Sequence, residues 1–232
     1  MEGAGTLAWM AVGLAATVAS YIGARALYGF SGRHPLLLPV ITATLVISSG
    51  LWALDIDIDD YTASVELLSW LLQPVVVLLA VPIYIHFEAL RRDLPDVLTV
   101  LLLGSCISIA SVLGLALLLA LGDVESISAL SKSVTSPVSM PLADAPGGDP
   151  ILAGGLSILT GIIATPMSLV TARFLGLSDA QTGVLLGLNA HAVGSAKAAD
   201  LGMTPLAYSA FSMAAASLMF AVILPAVHAL TG

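Results

Sequence analysis

Hydrophobic positions in this chain come in long unbroken runs separated by short polar punctuation, a pattern that predicts helices long enough to be surrounded by lipid. The first run covers residues 6–24, and Arg25, Arg33 and His34 follow it. Pro35 opens a second run to residue 54, proline being tolerated in the first turn of a helix. Asp55-Ile56-Asp57-Ile58-Asp59-Asp60 then reads as a water-facing loop. Residues 65–90 are apolar but interrupted at Gln73-Pro74 and at Pro82, where a break or kink is expected because proline removes a hydrogen bond and clashes with the preceding turn. Arg91-Arg92-Asp93 closes that segment, and residues 96–121, 150–174, 178–200 and 205–230 read as further spans.

Between residues 122 and 149 the pattern changes. Residues 124–134 contain Lys132 and run into Thr135-Ser136-Pro137, and a second short apolar piece ends at Asp144-Ala145-Pro146-Gly147-Gly148-Asp149, which is turn chemistry. Neither piece reaches across a hydrocarbon core of about 30 Å. Residues 125–143 are therefore expected to form a re-entrant hairpin or a broken span, with Ser136 as cap and Pro137 in the first helical position of the second piece.

The expected fold is an all-α polytopic membrane protein, one transmembrane domain over residues 1–232, with about seven crossings plus the hairpin. Pro35 and Pro150 each open a span, and Gln73-Pro74 and Leu188-Asn189 stand the same distance apart. This suggests an inverted repeat of residues 35–121 and 150–230, with interrupted helices meeting at mid-membrane as in secondary transporters. In that layout Arg25, Arg33, Arg91, Arg92 and Arg173 share one side, which the positive-inside rule assigns to the cytoplasm. The N-terminus then lies outside a cell's inner membrane.

Composition narrows the class. With 58% hydrophobic and 9% charged residues and a mean hydropathy of +1.03, a soluble globular origin is excluded. The net charge of −8 argues against nucleic acid as a partner and leaves the lipid bilayer as the surrounding phase. An acidic Met1-Glu2 precedes the first run, so that run is expected to be a retained helix and not a cleaved signal. Cys106, the single cysteine, reads as a small core residue. The four histidines are scattered without ligand spacing, and no Walker or dinucleotide motif is present, so neither metal nor other cofactor is expected. No serine has a nucleophile setting, so no enzyme activity is expected.

Polar groups inside an apolar chain are costly and mark function or partnership. Asn189-Ala190-His191-Ala192-Val193-Gly194-Ser195-Ala196-Lys197 is the strongest such stretch. Its small residues allow close helix packing, and Gly194 is expected to mark an unwound turn from which a half-helix would present free amides to an anion. His191 is either a satisfied hydrogen-bonding ring or a carrier of a coupled proton. Lys197 either faces the same guest or pairs with Asp200. Lys132, Ser133, Thr135 and Ser136 form the second candidate group and Gln73 the third. Together they describe a cationic mid-membrane site whose natural guest is a small organic anion, a carboxylate. Thr160 and Thr165-Pro166 read as local helix bending, and Trp9, Trp52 and Trp70 as interfacial anchors.

Four runs in order, Gly32-Arg33-His34-Pro35-Leu36-Leu37, Leu78-Leu79-Ala80-Val81-Pro82-Ile83-Tyr84, Leu130-Ser131-Lys132-Ser133-Val134-Thr135-Ser136-Pro137 and His191-Ala192-Val193-Gly194-Ser195-Ala196-Lys197, resemble the LrgB/CidB family. That family includes the membrane domain of the plastidic glycolate/glycerate transporter. The resemblance covers nearly the whole chain. It implies either a carrier of a small monocarboxylate such as pyruvate, lactate, glycolate or glycerate, or an antiholin-like protein controlling murein hydrolase export or lysis. It also implies a small LrgA/CidA-type membrane partner, and a homodimer is expected because so small a bundle leaves little fixed scaffold. Against the family pattern this chain has Ser131 for Pro, Ser136 for Thr, Gln73 for Gly and Lys197 for Arg. The last change keeps the charge and loses the bidentate fork.

Overall fold

A computed structural model of the chain describes residues 2–32 and 37–231, those at 2–6, 72, 73, 230 and 231 without their side chains. Arg33, His34 and Pro35 lie outside the described residues, as does the side chain of Gln73. Among the described residues every regular element is an α-helix. Five helical stretches are long and apolar enough to cross a bilayer: Leu7–Phe30, Glu66–Ile85, Phe87–Leu118, Pro150–Leu175 and Met203–Ala229. The apolar helix Pro39–Ala53 is shorter.

The chain divides into two units, residues 1–78 and 79–232. The first holds α1 (Glu2–Phe30), α2 (Pro39–Ala53), α3 (Ile58–Ser64) and α4 (Glu66–Leu78). Here the acidic cluster does local work: Asp57 caps α3 by accepting from the Asp59 amide at 2.7 Å. Thr17 Oγ1 and Tyr61 Oη, 2.8 Å apart, and Trp9 Nε1, donating to the Asp60 carbonyl at 3.2 Å, fasten α3 to α1. Contrary to the expected break at Gln73-Pro74, α4 continues through Pro74. The interruptions fall at Leu79 and His86, on either side of the short α5 (Ala80–Ile85). Pro82 accounts for the first, because a proline distorts the turn that precedes it.

In the second unit α6 (Phe87–Leu118) and α11 (Met203–Thr231) run side by side in the same direction. Thr204 Oγ1 lies 3.2 Å from His86 Nε2, Tyr208 donates to Asp93 at 2.6 Å, and further along Ile109 packs with Phe220. Cys106 lies on the exposed side of α6, not in the core; a small polarisable side chain costs little there.

Two helical hairpins pack against this pair and against the long helix Pro150–Leu175. The first is α7 (Asp123–Leu130) and α8 (Ser136–Asp144), joined by a non-helical tip at residues 131–135. It turns back on itself: Ser131 Oγ lies 2.9 Å from Ser139 Oγ, and the Asp149 amide donates to Ser128 Oγ at 2.8 Å. Serines on both sides fasten it to the helix that follows, and one of them serves its broken backbone. A broken helix leaves backbone groups unpaired, and in lipid they must be satisfied internally. The Val134 carbonyl accepts from Ser157, and Ser136 and Ser139 donate to the Gly154 and Ala153 carbonyls of α9 (Pro150–Leu175) at 3.2 and 3.1 Å. The cap of α8 is Thr135, one residue before the expected Ser136, which is drawn away to α9.

The second hairpin lies inside α10 (Asp179–Leu201), which begins with a capping box of Ser178 and Gln181. Gly183 meets Pro205 and Tyr208 of α11, and Gly187 meets Ser209 and Ser212, so this stretch runs parallel to the helix that follows it. A straight α10 would carry residue 209 roughly 12 Å beyond residue 187 along the axis, at about 1.5 Å per residue. The contact therefore requires the chain to double back between them. It does so at His191, whose φ of 42° and ψ of −121° break the helix. Residues 178–200 thus form a hairpin where a full span was expected, and the region 150–230 holds two long helices and that hairpin. The break falls three residues before Gly194. That glycine is needed for a different reason: a side chain there would overlap the Leu186 carbonyl and Ala190 of the opposing arm.

The hairpins enter from opposite ends. The base of the first, at Asp123 and Asp149, lies where α6 ends and α9 begins. The base of the second lies where α9 ends and α6 and α11 begin. Their tips meet near the middle of α6 and α9: Ser133 lies against Ser108, Leu188 against Gly104, Val134 against Ser157, and Ala190 with Val193 against Gly161.

Candidate functional site

A cavity of about 360 Å³ lies where the tips meet, within the second unit. Lys132 and Ser133 line it from the first hairpin, Asn189 and Leu188 from the second, Ser108 from α6 and Phe220 from α11. The α9 positions Thr160, Ala164, Met167, Ser168 and Thr171 recur on one helical face and carry the lining from the tips toward the arginine-bearing end of α9.

Lys132 is half-buried, and its ammonium donates to Ser133 Oγ at 3.3 Å; Ser133 Oγ in turn lies 2.6 Å from Ser108 Oγ. Among the described residues the ion pairs are Arg92 with Asp93 and Lys197 with Asp200, so no carboxylate lies within reach of Lys132. His191 is 3% exposed, and its Nε2 has no hydrogen-bond partner among the described residues. A side chain other than glycine at positive φ stores strain, and such strain clusters at ligand clamps and switch regions.

Of the residues expected to share one site, the structure brings Lys132, Ser133 and Asn189 to the cavity and His191 beside it. Thr135 and Ser136 serve the first hairpin's own packing. Gly194, Ser195 and Lys197 face elsewhere, because doubling back turns the second arm onto α11. Ser195 Oγ lies 2.9 Å from Ser209 Oγ and 3.8 Å from Met213 Sδ, and Lys197, 8% exposed, pairs with Asp200 at 3.2 Å. Gln73 belongs to the first unit, with its side chain undescribed.

Sequence reasoning missed Ser108, Ser168 and Thr171 and set Thr160 aside as a helix-bending residue. Thr165 does bend back, onto the Gly161 carbonyl at 2.7 Å, but Thr160 lines the cavity. The recurrence of hydroxyls at residues 160, 168 and 171 on one face was the available signal.

Two opposed hairpins meeting between long apolar helices, with a partly open cavity at their tips, mark an integral membrane protein. The chain belongs to the LrgB-like family, whose model matches residues 17–230. It is 31% identical over 211 residues to YwbG of Bacillus subtilis strain 168, covering 90% of this chain and 92% of that one. YxaC of the same organism is 31% identical over 205 residues, covering 85% and 86%. The antiholin-like protein LrgB of Bacillus cereus strain B4264 is 21% identical over 198 residues, covering 85% and 84%. No solved structure matches the chain.

Proposed function

We propose that this protein is a secondary transporter of a small monocarboxylate. The observation that carries the reading is Lys132: an ammonium at a hairpin tip, half-buried, with a hydroxyl and no carboxylate beside it. An unpaired charge away from water costs several kcal/mol. A bound carboxylate removes that cost, with Ser133, Ser108 and Asn189 supplying hydrogen bonds to its oxygens. A three-carbon acid occupies roughly 90 Å³, three times the share of a water molecule. The cavity of about 360 Å³ accepts it with several waters.

The two hairpins would be re-entrant, one from each face of the bilayer, and each joined to a long helix of opposite direction, as in the inverted repeats of carriers. Arg91, Arg92, Arg173 and Lys197 lie at the end where the second hairpin enters; Asp123, Glu125, Asp144 and Asp149 lie at the other. The positive-inside rule puts the first end in the cytoplasm of a cell's inner membrane. The same rule puts the N-terminus outside. Proton coupling through His191 is the corresponding proposal for the driving force. Self-association is proposed because so small a bundle leaves little fixed scaffold, and a small LrgA/CidA-type partner on the family resemblance; the mass of the purified complex reads both.

The test is uptake of labelled pyruvate, lactate and glycolate into proteoliposomes. The reading expects saturable uptake of at least one, abolished by Lys132→Gln, and a response to an imposed pH gradient that His191→Gln removes. A second reading, a lysis-controlling pore, is favoured by the antiholin-like name of some relatives. It predicts release of an entrapped fluorophore, which a carrier retains.

A further inference from the structure

We infer that the interface between the second hairpin's tip and α11 is a binding site for a monovalent cation, with sodium as the candidate by donor type. Three serines meet there away from solvent. Ser195, 3% exposed, lies on the returning arm, and Ser209 and Ser212, both fully buried, lie on successive turns of one α11 face against Gly187. Ser195 Oγ and Ser209 Oγ are 2.9 Å apart, whereas Ser212 Oγ has no hydrogen-bond partner among the described residues. His191 Nε2, at the tip between the two arms, is the second orphan, on a ring 3% exposed. Buried polar groups are paired in nearly all native structures, so each exception, Ser105 Oγ on α6 being the third, asks for a water, an ion or a functional role.

The backbone adds to the donor set. The break at His191 ends the first arm at the tip, which points the negative end of a half-helix dipole toward this interface. Hydroxyl and carbonyl oxygens with no carboxylate suit a hard monovalent ion. Calcium sites enlist carboxylates, and among the described residues no group of three His, Cys, Asp or Glu gathers anywhere.

The inference deepens the carboxylate reading and rests on it for its consequence. His191 stands two residues from Asn189, which lines the same cavity as Lys132. A cation here binds more weakly while Lys132 is bare and more tightly once a carboxylate neutralises it. Each ligand therefore raises the affinity of the other by the same factor, which is the linkage a symporter requires.

The experiment uses the detergent-purified full chain with no carboxylate, followed by proteoliposomes. Sodium chloride should raise the thermal unfolding midpoint above that in potassium chloride at equal ionic strength, and Ser212→Ala and Ser209→Ala should each remove the difference. Carboxylate uptake should fall about tenfold when potassium or choline replaces sodium. Equal stabilisation by both salts, or a sodium effect that survives both substitutions, overturns the cation site and leaves the orphaned groups to water. A sodium effect on stability without carboxylate uptake supports the cation site and overturns the carboxylate reading.

Discussion

Ser133 at the tip of the first hairpin and Ser108 in the middle of α6 lie 2.6 Å apart, and the Lys132 ammonium rests on the same Ser133 hydroxyl at 3.3 Å. The hydroxyl pair holds the tip at one height against α6, so the lysine reaches the cavity and not the lipid.

Ser108→Ala removes one neutral hydrogen bond from that chain, worth about 1 kcal/mol. Half-saturation for the transported carboxylate should rise roughly fivefold, with the maximal rate little changed. Initial-rate uptake at varied solute concentration reads both.

The doubling back of α10 has a topological consequence. In a Cys106→Ser background, single cysteines replacing Asp179 and Ala199, which lie at the base of the two arms, should react with a membrane-impermeant maleimide from the same face. A cysteine replacing Asp149, at the base of the other hairpin, should react from the opposite face. Labelling of intact cells against inverted vesicles decides; opposite-face labelling of positions 179 and 199 would mean a spanning α10.

Gly187 has no room for a side chain, since a Cβ would overlap the backbone of Ser209 and the Cβ of Ser212, whereas Gly155 faces open space. Gly187→Ala should lower stability by about 1–3 kcal/mol through overpacking. Gly155→Ala should leave stability equal or raise it by a few tenths, as expected for helix propensity. Thermal unfolding of the two purified variants makes the comparison.

Why some of this was legible in the sequence and some was not follows from the physics of each segment. Long apolar runs announce membrane helices by composition alone, and Lys132 before Thr135-Ser136-Pro137 announced a break because charge, hydroxyls and proline coincide there. The second hairpin was hidden because its first arm is apolar, its returning arm is rich in the strong helix former alanine, and the reversal sits on a histidine. Glycine at residue 194 drew attention to the wrong position: it marks where the arms touch, not where the chain turns. For Lys197 the sequence left open a place beside the guest or a pairing with Asp200, and the reversal takes it to Asp200. Ser108 and Thr160 were concealed inside apolar helices, where a lone hydroxyl usually bonds back to its own turn.

A single cation in the cavity sets its charge preference. One carboxylate neutralises Lys132; a second would be buried without a partner, at a cost of several kcal/mol. Succinate should therefore compete with a labelled monocarboxylate at least about tenfold less well than lactate does, measured as inhibition of uptake at pH 7.

The central claim is that Lys132, at the meeting of the two hairpins, holds the carboxylate. Equilibrium binding of a labelled monocarboxylate to purified protein tests it most directly. Wild type should bind saturably, Lys132→Arg should retain part of the affinity, and Lys132→Gln should lose about a hundredfold or more, as expected when a charged hydrogen-bonding partner is removed. Binding to Lys132→Gln as tight as to wild type would contradict the account.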